Sequence, residues 1–362
     1  MAGELSAYGR RVRGCLLGGA LGDALGKPVE FSSAPAIAEE YGPAGITDPP
    51  DPALLTDDTQ MTLFTAEGLI RASVRRREMG FSYPSTVVWH AYLRWLSTQG
   101  VPADQIGAAT SDNTEGHTGG WLVELPALHH RRAPGKTCLS ALQSGRMGTV
   151  TEPINDSKGC GGVMRAAPAG LCRPTGAFAL GRDVAAITHG HPAGYDAAGA
   201  LALLIERLAG GDSLQWAVRI TTQLLASEVE DPLVKDALGQ AVKAAERKPG
   251  DARTLAGLGE GWVAEEALAI AVYCALSHPR PDPDEFSAAL RLATNHGGDS
   301  DSTAALTGNI LGAAHGAEVL PAAWLGRLEL RTEMNQLADD MVTEFSGDES
   351  RPEGWTHRYP PS

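Results

Sequence analysis

No stretch of this chain alternates polar and apolar residues over the length of a strand, and that absence constrains the fold more than any motif does. What recurs is helical periodicity. From about residue 193 the chain reads as one Ala/Leu-rich helix after another, at 195–209, 213–228, 231–246, 263–276, 284–294, 302–315 and 320–332, with 333–346 as a continuation of the last. Upstream, 8–26, 35–41, 56–71, 84–99 and 137–145 carry the same kind of pattern. Helices without sheets bury their apolar faces on one another. The expectation is therefore an all-α fold, a single compact domain over 1–346. The remaining stretch, 347–362, is polar and proline-rich and reads as a loose tail.

The first helix is rich in glycine. Gly14, Gly18 and Gly22 recur every fourth residue and so share one face. Each costs about 1 kcal/mol in a helix, so the stripe is read as a packing surface that lets another backbone approach. Gly26, Lys27 and Pro28 end that helix, and Glu30 follows in a loop running to about residue 54.

Bulk properties narrow the function. A net charge of −14 argues against a nucleic-acid backbone or an anionic membrane as a general partner. The five cysteines (Cys15, Cys138, Cys160, Cys172 and Cys274) are odd in number and form no C-x-x-C, so no disulfide framework or zinc site is indicated. A reducing cytoplasm is the natural compartment. No run is long and apolar enough to span a bilayer, and the N-terminus lacks a signal-peptide core.

The chemistry concentrates in two acidic stretches. In T-N-H-G-G-D-S-D-S-T at 294–303, Asp299, Asp301 and Ser302 stand where a glycine turn leads into a small-residue helix. In L-T-D-D-T-Q-M at 55–61, Thr56, Asp57 and Asp58 stand at another such start. Asp57 and Gln60 also have the spacing of a capping box, so helix capping is the plainer reading of these acids. A cap needs one oxygen, however, and each stretch offers four such side chains in close succession. If the two helix starts face each other, four carboxylates share a site and need cations to remain ionised. An all-oxygen set favours Mg²⁺ or Mn²⁺ over zinc, and two divalent ions would balance the charge.

A third stretch, D-S-K-G-C-G-G-V-M-R at 156–165, is a glycine loop before an apolar helix. Loops of this kind can cradle a diphosphate with backbone N–H groups, although the ending of a Walker A motif is absent. His189 and His191 lie between helical segments, without a third nitrogen or sulfur ligand nearby.

Taken together, the chain resembles the ADP-ribosylglycohydrolase family, which includes the dinitrogenase-reductase-activating glycohydrolase and the ADP-ribosyl-acceptor hydrolases. The matching residues run from about Arg10 to about Gly316: R-G-C-L-L-G-G-A-L-G-D-A-L-G with V-E-F after it, T-D-D-T, G-C-G-G-V-M-R, T-H with G-Y beyond it, and G-G-D-S-D-S-T. The resemblance implies an orthogonal all-α fold with a centre of two Mg²⁺ or Mn²⁺ ions. It implies Thr56, Asp57, Asp58, Asp299, Asp301 and Ser302 as ligands, with Asp58 and Asp301 essential to catalysis. Glu30 matches the family's acid/base residue. Ser157, Lys158, Gly159, Cys160 and Gly161 match the diphosphate loop, and His189 and Tyr195 fall in a substrate-contacting motif. Cys160 stands where family members often carry Asn, and His296 where a leucine is common.

The implied activity is removal of ADP-ribose from a modified protein, nucleic acid or small molecule by hydrolysis at the distal ribose anomeric carbon, by a monomer. A non-catalytic ADP-ribose-binding or structural protein on the same scaffold is the alternative, disfavoured because every proposed ligand is present. A haloacid-dehalogenase-type phosphatase is strongly disfavoured, because T-N-H-G-G and not a hydrophobic strand precedes D-S-D-S-T.

Overall fold

Ser6 starts the first helix by accepting a hydrogen bond from the Gly9 N–H, and the helix, α1 (Ala7–Gly26), runs through the middle of the molecule. The structure is a computed structural model and describes residues 6–102, 106, 119–173, 176–347 and 350–361. Most of the loop expected at 111–121 therefore lies outside the described residues. After a short 3₁₀ turn (Lys27–Val29) come α2 (Ala34–Tyr41), α3 (Asp57–Met79), α4 (Pro84–Thr98) and α5 (Lys136–Gln143). Next are α6 (Ala167–Leu171), α7 (Ala177–Ala186), α8 (Pro192–Gly210), α9 (Leu214–Glu228), α10 (Pro232–Arg247) and α11 (Ala252–Ala256). The last six are α12 (Ala264–Ser277), α13 (Pro283–Thr294), α14 (Ser300–His315), α15 (Ala322–Arg327), α16 (Arg331–Phe345) and α17 (Trp355–Arg358). Among the described residues the only strand-like pairings are two isolated bridges, Ala53 with Leu328 and Gly159 with Val263. The fold is all-α, as expected.

The glycine stripe explains the centre of the fold. Every residue of α1 from Gly14 to Gly26 is buried, and the stripe lies directly on α14. A Cβ on Gly14 would stand 2.4 Å from the Gly312 carbonyl oxygen, one on Gly18 2.4 Å from that of Gly308, and one on Gly22 2.1 Å from that of Ala304. The approach is mutual, since a Cβ on Gly308 would lie 2.0 Å from the Gly18 oxygen. Asn309 ties the pair further by donating from Nδ2 to the Cys15 carbonyl at 2.8 Å. At the end of the stripe, a Cβ on Gly26 would be 2.4 Å from Asp301 N. The last turn of α1 thus rests on the first turn of α14, where the acids are.

Three expectations are corrected. The segment 320–332 is not one helix continued by 333–346. Ala53 N donates to Arg327 O at 3.0 Å and Glu329 N donates to Ala53 O at 3.1 Å, so the loop at Ala53 takes the hydrogen bonds a continuous helix would need. Leu330 has φ +56 there, and α15 and α16 are separate. Nor is 347–362 a loose tail in its described part, because Trp355 and Tyr359 are buried in the main core. Trp355 Nε1 donates to Glu344 Oε2 at 3.0 Å, and the Tyr359 hydroxyl donates to Asp340 Oδ2 at 2.6 Å. Two large aromatic side chains supply enough apolar surface to hold a polar segment down. Finally, Thr56 and not Asp57 caps α3, accepting from Asp58 N. Gln60, the expected partner in a capping box, donates instead to His130 O at 3.0 Å and accepts from Trp95 Nε1 at 3.1 Å.

Candidate active site

The two acidic stretches meet. Ser302 Oγ donates to Asp58 Oδ2 at 2.8 Å across 244 residues of sequence. The starts of α3 and α14 are brought together by α1. Asp23, in the last two turns of α1, accepts hydrogen bonds from Thr56 N at 3.0 Å and Thr59 N at 3.2 Å, and from the Thr59 hydroxyl. It thus caps α3 from a neighbouring helix, while Gly26 sets α14 against the same end of α1. On the far side, Gly297 turns with φ +81, where a Cβ would meet Ala34 N at 2.3 Å. Asp299 N then donates to Glu260 O at 2.8 Å.

Asp57, Asp58, Asp299 and Asp301 are almost wholly buried, as are Thr56 and Ser302. Among the described residues no lysine or arginine forms an ion pair with any of the four carboxyls. Burial and mutual repulsion push Asp57, Asp58 and Asp299 well above the usual carboxylate range. Burial also raises Asp301, opposed by hydrogen bonds from Asp299, Ser302 and Thr56. Asp23 is pushed up to about 7 by burial and by the charge of Asp301. Such a cluster is unfavourable without a counter-charge, and every donor in it is oxygen. The donor set therefore fits hard divalent cations. As they stand, the side chains do not close on one point. Asp57 Oδ2 accepts from Gly135 N at 3.1 Å, and among the described residues no three acidic, histidine or cysteine side chains are arranged as ligands of one ion.

The acids open into a cavity of about 510 Å³, within the range of small-molecule sites. Glu30 lines it beside Phe31. It is placed by the 3₁₀ turn after α1, with Glu30 N donating to Gly26 O at 3.1 Å. Burial first, then the charges of Asp301, Asp299 and Asp57, push its carboxyl up to about 10. Phe31 is in the left-handed region at φ +68, which is strained for a bulky side chain. Its ring is exposed and stacks on Trp262 with centroids 5.3 Å apart and planes 15° from parallel.

The glycine loop forms the opposite wall. Gly159, Cys160, Gly161 and His189 all line the cavity. The loop is fastened to the start of α12: Cys160 N donates to Trp262 O at 3.1 Å and Ala264 N donates to Lys158 O at 2.9 Å. The Cys160 amide is therefore committed within the protein. Lys158 pairs with Glu265, and neither it nor Tyr195 lines the cavity. Tyr195 faces Arg182, whose guanidinium lies 5.0 Å from its ring centroid. Ser157 reaches the wall through Thr137, hydroxyl to hydroxyl at 3.3 Å. Burial raises the Cys160 thiol, beside Asp299 and Ser302. His296 faces away from the cavity, its Nε2 2.9 Å from the Thr303 hydroxyl. That hydroxyl donates onward to backbone carbonyls, so His296 braces the first turn of α14.

Sequence reasoning passed over Asp23, Arg165, Thr188 and Trp262. A charged residue inside the otherwise apolar, glycine-rich stretch 14–26 of α1 was the available signal for Asp23. The other three show their roles only through contacts between segments distant in sequence.

The chain is similar to known proteins over most of its length. A solved structure described as an ADP-ribosylglycohydrolase-related protein complex superposes with a TM-score of 0.64 at 24% identity, covering 94% of this chain and 99% of its own; at that identity it speaks for the fold alone. ADP-ribosyl-[dinitrogen reductase] glycohydrolase of Rhodospirillum rubrum is 25% identical over 333 residues, 89% of this chain and 92% of that protein. ADP-ribosylarginine hydrolase Tri1 of Serratia proteamaculans (strain 568) is 26% identical over 339 residues, 91% of this chain and 78% of that protein. The ADP-ribosylglycohydrolase family profile matches residues 4–351, spanning both acidic stretches, Glu30 and the glycine loop. On a match that takes in nearly the whole chain, the protein belongs to the ADP-ribosylglycohydrolase family.

Proposed function

We propose that this protein is a divalent-cation-dependent hydrolase that releases ADP-ribose from a modified acceptor by breaking the bond at the distal ribose anomeric carbon. The observation that carries this reading is the junction of Asp58 with Ser302 beneath a cavity that Glu30 also lines. Asp57, Asp58, Asp299 and Asp301, with Thr56 and Ser302, would hold two Mg²⁺ or Mn²⁺ ions. Those ions, when bound, supply Lewis acidity toward ribose hydroxyls and water.

The chain's own residues account for the proton movements. Burial favours the protonated form of the Glu30 carboxyl, and the residue is suited to deliver that proton to the leaving acceptor as the glycosidic bond breaks. As a carboxylate it then takes a proton from the water whose hydroxyl joins the anomeric carbon, and the cycle closes. Phe31 and Trp262 present an aromatic wall beside Glu30, a surface suited to a planar cation. An arginine acceptor is the reading this favours, and Tri1, similar over nearly the whole chain, is named for ADP-ribosylarginine.

The test is a panel of substrates carrying ADP-ribose on arginine, on serine and on a nucleic-acid end. Free ADP-ribose is measured with Mg²⁺ and with chelator. Release from the arginine conjugate only in Mg²⁺ is expected. Binding of ADP-ribose without release from any conjugate would favour the non-catalytic alternative.

A further inference from the structure

Arg165 ends the glycine-loop motif and is fully buried, yet among the described residues no carboxylate pairs with it. Its guanidinium lies 4.3 Å from the centroid of the Tyr92 ring, and its Nη1 faces Cys138 Sγ at 3.3 Å. Its best hydrogen bond runs from Nη2 to the Thr188 hydroxyl, at 2.6 Å. That hydroxyl in turn lies 2.8 Å from Nδ1 of His189.

The protons along this row follow from which groups donate and which accept best. A guanidinium donates and does not accept, so the Thr188 oxygen is the acceptor in the first bond. The hydroxyl keeps one proton and a second lone pair, and the proton goes to His189 Nδ1 because its other neighbour, the Cys138 sulfur, is the weaker acceptor. A neutral imidazole that accepts at Nδ1 carries its proton on Nε2. The ring stays neutral because burial and the charge of Arg165 bring its pKa down to about 3.

Nε2 is the edge turned toward the glycine loop. A Cβ on Gly161 would stand 3.2 Å from it, and one on Gly159 3.5 Å. No hydrogen bond from Nε2 is found among the described residues, and His189 lines the cavity with both glycines.

We infer that Arg165 and Thr188 are positioning residues that lock His189 as an Nε2–H donor aimed into the cavity, where it meets an oxygen of the ligand. The identity of that oxygen, phosphate or ribose hydroxyl, rests on the ADP-ribose reading above. The tautomer does not.

Long-range ¹H–¹⁵N correlation on protein with ¹⁵N-labelled histidine reads the tautomer directly, with His189→Phe to assign the signal. The wild-type His189 is expected to show Nε2 protonated and Nδ1 bare. Thr188→Val removes the hydroxyl at nearly constant shape and is expected to mix in the other tautomer. Thr188→Ser is expected to restore the wild-type pattern. In parallel, Thr188→Val is expected to weaken ADP-ribose binding about tenfold and Thr188→Ser to leave it near wild type. If Thr188→Val does not fold, Arg165→Lys breaks the same row from its other end.

A wild-type spectrum with the proton on Nδ1, or a Thr188→Val spectrum unchanged from wild type, overturns the inference. So does a switched tautomer with unchanged ADP-ribose affinity, because the donor would then serve no ligand. If the tautomers behave as expected but wild-type protein binds no ADP-ribose, the functional reading fails and the positioning of His189 stands.

Discussion

Gly22→Ala is the substitution for which general helix propensity and this particular fold predict opposite signs. Alanine is favoured over glycine by about 1 kcal/mol in a helix interior, and α1 is helical throughout. The new methyl carbon, however, would lie 2.1 Å from the Ala304 oxygen and 2.3 Å from its carbonyl carbon. That is about 1.3 Å inside ordinary contact. The obstacle is backbone, which cannot rotate away, so α1 and α14 must separate. Overpacking costs about 1–3 kcal/mol where side chains can adjust, and this site belongs at the upper end. A net loss of about 2 kcal/mol is expected once the propensity gain is subtracted. With an unfolding entropy of about 2 cal/mol/K per residue, the melting temperature falls by about 3 °C. Gly239→Ala in α10 is the control, since a Cβ there meets nothing within 4 Å. It is expected to raise the melting temperature by about 1 °C. Calorimetry of both variants decides. A Gly22→Ala protein as stable as Gly239→Ala would refute the account of the α1–α14 contact. Because Asp23 follows Gly22 and Asp301 lies at the same end of α14, Gly22→Ala is also expected to weaken Mg²⁺ binding.

Glu30→Gln keeps shape and removes the transferable proton; turnover is expected to fall by about 10²–10⁴-fold with ADP-ribose affinity little changed, measured by product release and calorimetric titration. Asp58→Ala and Asp301→Ala are each expected to abolish hydrolysis and to weaken Mg²⁺ binding in the same titration. The raised acids give a pH dependence of known sign: between the ordinary carboxylate range and the raised values, about 7 for Asp23 and about 10 for Glu30, the folded state holds more protons than the unfolded one. Metal-free stability from these groups therefore falls as pH rises through that window. The rise in melting temperature on adding Mg²⁺ is accordingly expected to be larger at pH 8 than at pH 5. Tyr359→Phe removes a buried hydrogen bond to Asp340 and is expected to cost about 1–2 kcal/mol in denaturant unfolding.

Much of this was legible in the sequence because it was local. The four-residue spacing of Gly14, Gly18 and Gly22 announced a close helix contact, and α14 supplies it. The acid pairs at 57–58 and 299–301 announced a shared site, and the Asp58–Ser302 hydrogen bond joins them. Where the reading failed, a distant partner had overridden a local signal. Gln60 had the spacing of a cap but is held by His130 and Trp95. The polar composition of 347–362 masked two aromatic residues that find buried places against α16. Lys158 sits in the glycine loop, yet Glu265 from α12 takes its charge. The Arg165–Thr188–His189 row joins the helix-start motif at 165 to a turn more than twenty residues on, and no spacing rule describes it.

The central claim is that carboxylates from the start of α3 and the start of α14 share divalent cations. Anomalous scattering from crystals grown in Mn²⁺ tests it most directly. Two peaks are predicted between Asp57 and Asp58 on one side and Asp299 and Asp301 on the other, each within about 2.3 Å of several oxygens. Well-ordered aspartates with no anomalous peak among them at saturating Mn²⁺ would contradict it.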